Sequence, residues 1–467
     1  MSSSIFRKKR ISDLLAIQPK DKALKKELGA LDLTMLGIGA IIGTGIFVLT
    51  GTGALTAGPG VILSFIIAGL ACLFAALSYA EFASTVPVSG SVYTYTYTTL
   101  GELIAFIIGW DLVLEYLLAV SAVSVGWSGY FQSLLSGFGL HLPAALTSAP
   151  GTIEGHTTFF NLPAFLIVMI ITYLLSIGIK ESKKVNNIMV IVKVAVVLLF
   201  IAVAVRYVKP ANWDPFMPFG FDGVFAAAAL VFFAFIGFDA IASAAEETKN
   251  PKRDLPIGIL SSLFICTLLY VFVSAIMTGV VPFMQFEGVA HPISLPLQVA
   301  GQTWVAGIID LGAIIGMTTV MLVMLYGQTR VMFSMSRDGL MPPFLSEVHK
   351  KHHTPYKATW LFGWIAALMG ALIPLDELAK LVNIGTLSAF ILISIAVIVL
   401  RIKQPDLPRA FRCPAVPIIP GLAILFCGFL ILQLGASTWI RFAIWLAIGV
   451  VIYFAYSRKR SKLNESK

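Results

Sequence analysis

A chain carrying twelve apolar runs, most of them about as long as a bilayer is thick, has few folds open to it. The runs lie at 32–56, 61–84, 103–130, 161–178, 186–207, 222–244, 256–280, 304–332, 359–374, 378–400, 417–434 and 438–456. About 20 apolar residues let a helix cross the hydrocarbon of a membrane. Inside that hydrocarbon every backbone N–H and C=O needs an internal partner, so such runs have to be helices. Only 12% of the 467 residues are charged and mean hydropathy is +0.89, against about 25% charge in soluble domains. The expected fold is an all-α polytopic membrane protein with twelve transmembrane helices. The first run follows a long basic leader and lacks a suitably placed small-residue cleavage site, so it reads as a span and not as a signal peptide.

The net charge of +9 acquires meaning from its distribution. With the N-terminus inside and the spans alternating, 28 of the 33 Lys and Arg fall on the inner side, and Arg206, Lys209, Lys380 and Arg441 fall outside. An excess of basic residues marks cytoplasmic loops. It predicts both termini in the cytoplasm of a plasma-membrane protein, contact with membrane lipid, and no nucleic-acid partner. Cys72, Cys266, Cys413 and Cys427 form no CxxC pair, and the six histidines fall in loops without an HExxH. No metal, cofactor or enzyme activity is expected from these residues.

Two spans are interrupted. "GIGAIIGTGIF", 37–47, places four glycines in the middle of span 1, and "FFAFIGFDAIA", 232–242, interrupts span 6. Glycine inside a helix costs roughly 1 kcal/mol relative to alanine. In a membrane, freed backbone groups persist only where they line a buried or wet cavity. Broken helices at the same place in two halves point to a transporter site. Five spans separate the breaks, so the second half enters from the opposite side, as an inverted repeat. The expected organisation is a basic N-terminal segment (1–28), a first repeat (29–208, spans 1–5), a second repeat (209–402, spans 6–10), spans 11 and 12 (403–457) and a tail (458–467). Gly39 and Gly43 also fit GxxxG helix packing, which competes with the site reading. "SVYTYTYTT", 91–99, reads as a re-entrant or interfacial link, or equally as an aromatic belt.

Lys193 lies in "IMVIVKVAVVLLF", 188–200, and is the one Lys or Arg that no loop, end or interface accounts for. A charge at mid-bilayer costs from about 2.5 kcal/mol upward. A buried amine can take and lose a proton during a cycle, which suggests proton coupling; snorkelling to the cytoplasmic face is the rival explanation. Asp239 follows the second break and could join a proton path. Asp111 and Glu115 share a helix face and read as a structural contact. Glu81, Glu102, Glu246 and Glu247 are expected to pair with Arg330, Arg337, Lys252 or Arg253.

The stretches "GIGAIIGTGIF", "FFAFIGFDAIASAAEETKNPKRDLP" and "RVMFSMSRDGLMP" together resemble the amino acid–polyamine–organocation superfamily, above all bacterial members of its cationic amino acid transporter branch. The resemblance implies a five-plus-five inverted repeat with broken helices 1 and 6, two extra helices, and alternating-access transport. It implies that the N–H groups of Thr44 and Gly45, with Gly43 at the turn, hold a substrate carboxylate. Carbonyls of Ile41, Phe233, Ala234 and Ile236 would take the ammonium group, and the Phe233 ring would close over the substrate, although a plain core aromatic remains possible. The pocket is expected to be lined by Ile41, Ile42, Phe233, Phe235, Thr318 and Met321. Lys193 would reach the carbonyls of Gly39 and Ile42 and a hydroxyl of Thr318 or Thr319. No acid other than Asp239 lies near this pocket, so proton-coupled uptake of neutral amino acids is expected. An exchanger, or a carrier of cationic amino acids, is the alternative on the same fold. A channel or a structural protein is the alternative from another class. A small single-span subunit or a bound sterol-like lipid is neither required nor excluded.

Overall fold

The computed structural model describes residues 7–8, 26–85, 91–152, 157–178, 183–352 and 354–464. His156, His353 and the Glu246 side chain lie outside the described residues. Among the described residues every regular element is a helix. Eight helical stretches among the described residues are long and apolar enough to cross a membrane, and Ala30–Ile41, Leu162–Ser176 and Ile418–Leu432 are shorter apolar helices.

In chain order the helices are α1 (Ala30–Ile41), α2 (Thr44–Phe47), α3 (Leu49–Ala57), α4 (Val61–Thr85), α5 (Ser91–Thr99), α6 (Glu102–Gly137), α7 (Leu162–Ser176), α8 (Lys183–Ala204) and α9 (Gly220–Val231). They continue as α10 (Ala240–Ser243), α11 (Pro251–Val280), α12 (Ser294–Val299), α13 (Thr303–Arg337), α14 (Tyr356–Leu372), α15 (Leu375–Lys403), α16 (Ile418–Leu432) and α17 (Ala436–Ile452).

The two longest helices, α6 and α13, lie antiparallel. Gly109 abuts Met335, Trp127 Nε1 donates to the Thr318 hydroxyl at 3.0 Å, and Ser133 Oγ donates to Asp310 Oδ2 at 2.6 Å. On another side α13 receives α8, where Val196 packs on Gly312 and the Lys193 stem packs on Gly316. This scaffold is close-packed because small residues stand at its helix crossings, as is usual where lipid removes the hydrophobic drive between helices.

At the basic end the structure departs from expectation. The 91–99 stretch, expected as a re-entrant or interfacial link or as an aromatic belt, does not present its tyrosines outward as a belt would. It is the helix α5, with Tyr93, Tyr95 and Tyr97 all buried. Glu102 pairs with Arg7 at 2.9 Å and also accepts from the hydroxyls of Tyr97, Tyr453 and Ser461. Glu81 is gripped by two nitrogens of Arg401 at 2.8 Å each, by Arg409 at 3.1 Å and by the Cys413 N–H. Neither acid takes the partners expected from its position in the chain. A buried carboxylate needs enclosing donors, and here the chain termini, the end of α15 and the α15–α16 loop provide them. Glu247 engages through its backbone: its C=O accepts the N–H groups of Glu27 and Leu28, and Leu28 bridges to Thr248.

Candidate functional site

Two helix interruptions meet at the centre of the molecule. After α1, Ile42 and Gly43 leave helical geometry, with φ −73°, ψ 101° and φ −154°, ψ −143°. The chain resumes as α2 and α3. After α9, Phe232–Phe235 tightens into a 3₁₀ turn, Ile236 is extended, and Gly237 has φ +120°. The first turn of a helix has no internal acceptor for its N–H groups, so Thr44 and Gly45 at the start of α2 offer donors. Interruption of α9 likewise leaves carbonyls without a following turn.

The breaks are packed face to face, and two glycines allow it. A Cβ on Gly45 would lie 2.2 Å from Ala234 Cα, and one on Gly237 would lie 2.9 Å from the Ala40 carbonyl carbon. Gly43 is less demanding. Its φ is that of extended chain, and an added Cβ would meet only the Val320 side chain, at 3.2 Å. The steric requirement for glycine therefore falls on Gly45 and Gly237 rather than on the turn residue.

A cavity lies at this junction. Gly43, Thr44, Gly45, Phe233 and Ile236 contribute from the breaks, and Ala119, Val123, Val320 and Met324 supply an apolar wall from α6 and α13. Its water-accessible volume is ≈ 10 Å³, room for about one water molecule. Anything the size of an amino acid requires the walls to separate. Ile41 and Phe233 line this cavity, and Ile42, Phe235, Thr318 and Met321 are not among its walls. Phe235 packs instead against Phe65 and Tyr270. The Thr318 hydroxyl accepts from Trp127 and donates back to the Ile314 carbonyl.

Lys193 is fully buried, and its Nζ donates to the Gly39 carbonyl at 2.6 Å, one turn before the first break. The Thr319 hydroxyl donates to the Gly316 carbonyl, beside the lysine stem. Asp239 is buried behind the second break, with the Tyr116 side chain beside it. Glu115 is buried on α6, and Asp111 lies against Gly385 of α15. The two acids of α6 and Asp239 are all buried and near enough to act on one another electrostatically.

A chain with two such breaks and a basic flank invites comparison with known transporters. The sequence profile of the amino acid permeases matches residues 28–455. The chain belongs to the amino acid permease family. Among curated relatives of this permease, the branched-chain amino acid permease BcaP of Bacillus subtilis (strain 168) is 76% identical over 465 residues, covering all of both chains. The methylthioribose transporter of the same organism is 56% identical over 99% of this permease and all of its own length. The vacuolar cationic amino acid transporter 4 of Arabidopsis thaliana is 32% identical over 99% of this chain and 97% of its own. The expected relation to the cationic amino acid transporters therefore holds, and the permease is an integral membrane transporter and not an enzyme.

Two side chains that brace the site escaped the sequence reading. The Tyr270 hydroxyl, on α11, lies 3.1 Å from the Ile41 carbonyl and 2.8 Å from that of Ala234, tying one break to the other. Asn383, on α15, donates to the carbonyls of Ala229 at 2.7 Å and Leu230 at 3.0 Å, where α9 begins to tighten. Asn383 carried a usable signal, as a lone amide in an apolar run. Tyr270 carried none, being one of 13 tyrosines.

Proposed function

We propose that this permease imports branched-chain and similar neutral L-amino acids across the plasma membrane, driven by protons. The observation that carries the reading is the cavity formed where the two breaks meet. It pairs backbone donors and acceptors at one end with an aliphatic wall at the other. The Thr44 and Gly45 N–H groups hold the substrate carboxylate, at the positive end of a helix. The carbonyls of Ile41, Phe233, Ala234 and Ile236 hold its ammonium group. Ala119, Val123, Val320 and Met324 enclose the side chain, and Phe233 covers it from outside. With no acid among the walls, a cationic side chain would stand unpaired in a dry site.

In this reading the helices form twelve spans, with α1–α3 as broken span 1 and α9–α10 as broken span 6. The halves 29–208 and 209–402 form an inverted repeat, spans 11 and 12 lie outside it, and both termini are cytoplasmic. Lys193 holds the proton, bridging from α8 to the Gly39 carbonyl beside the first break. When protonated it keeps α8 and α1 together; when neutral it releases them, and the inner side can open. Asp239 and the two acids of α6 supply the way out for the proton.

The identity to a methylthioribose transporter raises a second substrate. A pentose presents several hydroxyls, and a site built to bind them needs polar side chains. Thr44 is the one hydroxyl in the cavity wall, and it lies 3.5 Å from the Val123 carbonyl. The cavity favours the amino acid. Competition binding to purified protein separates the two: leucine, isoleucine and valine should displace labelled leucine, and methylthioribose and arginine should not. Displacement by methylthioribose at lower concentration than leucine would overturn the assignment.

A further inference from the structure

We propose that the permease carries a specific site for an anionic phospholipid at its basic end, centred on Arg330. A second cavity opens there, between α7, the end of α13 and the start of α14. Its volume is ≈ 90 Å³, room for roughly six to nine water molecules and so for a headgroup phosphate. Leu175, Phe333 and Val348 make its walls apolar, and Arg330 makes them cationic.

Arg330 is held at the cavity by its neighbour on α13. Its guanidinium lies 4.8 Å from the centre of the Tyr326 ring and donates to the Tyr326 hydroxyl, so it is held in place. Among the described residues no carboxylate pairs with it, whereas Arg7, Arg401 and Arg409 each grip a buried glutamate and Lys357 pairs with Glu347. A fixed guanidinium matches a phosphate in geometry as well as charge. Lys350 and Lys351 follow Val348 in the adjoining loop and add to the positive field. α14 also begins at the cavity wall, at Pro355 and Thr359, and a helix start favours an anion.

The chain below the headgroup also has a place. α7 exposes Leu166, Ile170 and Tyr173, spaced to lie on one face of a helix. α14 exposes Leu361, Trp364 and Leu368 in the same way. Both stripes run away from the cavity along helices that pack on one another. A soluble anion would use the arginine and leave these stripes untouched, so the occupant is a lipid of the cytoplasmic leaflet, whose surface is anionic.

This site bears on transport through α13. Val320 and Met324 of the substrate cavity lie ten and six residues before Arg330 on that helix, about 15 Å and 9 Å along its axis. A lipid joining Arg330 to α7 and α14 holds the end of α13 against them. The inference rests on the membrane reading but not on which substrate is carried, so binding can be tested without transport.

The full-length protein in neutral detergent is titrated with phosphatidylglycerol, phosphatidylcholine or glycerol 3-phosphate, with bound lipid read by native mass spectrometry and thermal midpoint in parallel. Phosphatidylglycerol should bind and raise the midpoint, and phosphatidylcholine should do neither. Arg330→Gln should weaken phosphatidylglycerol binding about fivefold, the share of one basic residue at an anionic leaflet. Arg337→Gln, an exposed arginine off the cavity, should leave it unchanged. Val348→Trp closes the cavity mouth without touching the guanidinium and should also weaken binding. Equal binding by Arg330→Gln and the unmodified protein, or equal loss in Arg337→Gln, overturns the proposal. So does displacement of the lipid by glycerol 3-phosphate at comparable concentration, which would mark a soluble-anion site.

Discussion

Replacing Gly45 by alanine tests whether the two breaks form one site. The added Cβ would stand 2.2 Å from Ala234 Cα, 2.5 Å from Ala234 Cβ and 2.9 Å from Ala234 N. Ordinary contact begins near 3.4 Å, so the breaks must part by about 1.2 Å, and the main chain cannot rotate away as a side chain can. A shift of that size takes the 2.8 Å bond from Tyr270 to the Ala234 carbonyl out of range. Overpacking costs about 1–3 kcal/mol, and the lost hydrogen bond about 1 kcal/mol. If the whole cost falls on the binding-competent arrangement, affinity drops roughly 30- to 1000-fold. Gly43→Ala meets only a side chain, at 3.2 Å, and should bind within roughly threefold of the unmodified protein, the allowance for a conservative change in a tolerant setting. The assay is equilibrium binding of radiolabelled leucine to monodisperse protein in detergent. Gly45→Ala with near-normal affinity, or Gly43→Ala with the larger loss, would refute the reasoning.

Other outcomes follow from the same geometry. Phe233→Ala should release preloaded leucine roughly tenfold faster, the equivalent of about 1.4 kcal/mol of lost cover; an unaltered dissociation rate returns Phe233 to the ordinary core. Tyr270→Phe leaves the carbonyls of Ile41 and Ala234 without their shared donor and should cost about 1–3 kcal/mol, visible as a lower thermal midpoint together with weaker leucine binding. Burial pushes the loop thiol of Cys413 up to about 11 from an ordinary 9.0, so at pH 8 only about one molecule in a thousand holds the reactive thiolate. Maleimide labelling of Cys413 should therefore be slow at pH 8.

Local signals were legible where one residue type conflicts with its surroundings. Glycines in an apolar run marked the first break, and a lone lysine marked the contact that α8 makes with Gly39. Rotational phase was not legible. α13 is apolar around much of its circumference, so nothing in its sequence separates Val320 and Met324, which line the cavity, from Met321, which does not. The partners of Glu81 and Glu102 were equally hidden. Arg401 lies 320 residues from Glu81 and Arg7 lies 95 residues from Glu102, and only packing of the termini and loops selects them over nearer arginines. Tyr270 shows the same limit. Its role depends on two carbonyls, 229 and 36 residues away, meeting beneath one hydroxyl.

Uptake into vesicles tests the central claim most directly. Purified protein is reconstituted into liposomes, and radiolabelled leucine is followed under an imposed proton gradient or an imposed sodium gradient. If Lys193 carries the coupling proton as proposed, an acidic outside should protonate it and favour the substrate-ready arrangement, and release of the proton inside should favour opening inward. Leucine should accumulate against its gradient under ΔpH, and a sodium gradient should have no effect. Lys193→Ala should still bind leucine but no longer accumulate it in response to ΔpH. Accumulation by Lys193→Ala in step with ΔpH would contradict the account, reducing Lys193 to a packing contact and leaving Asp239 as the group to test.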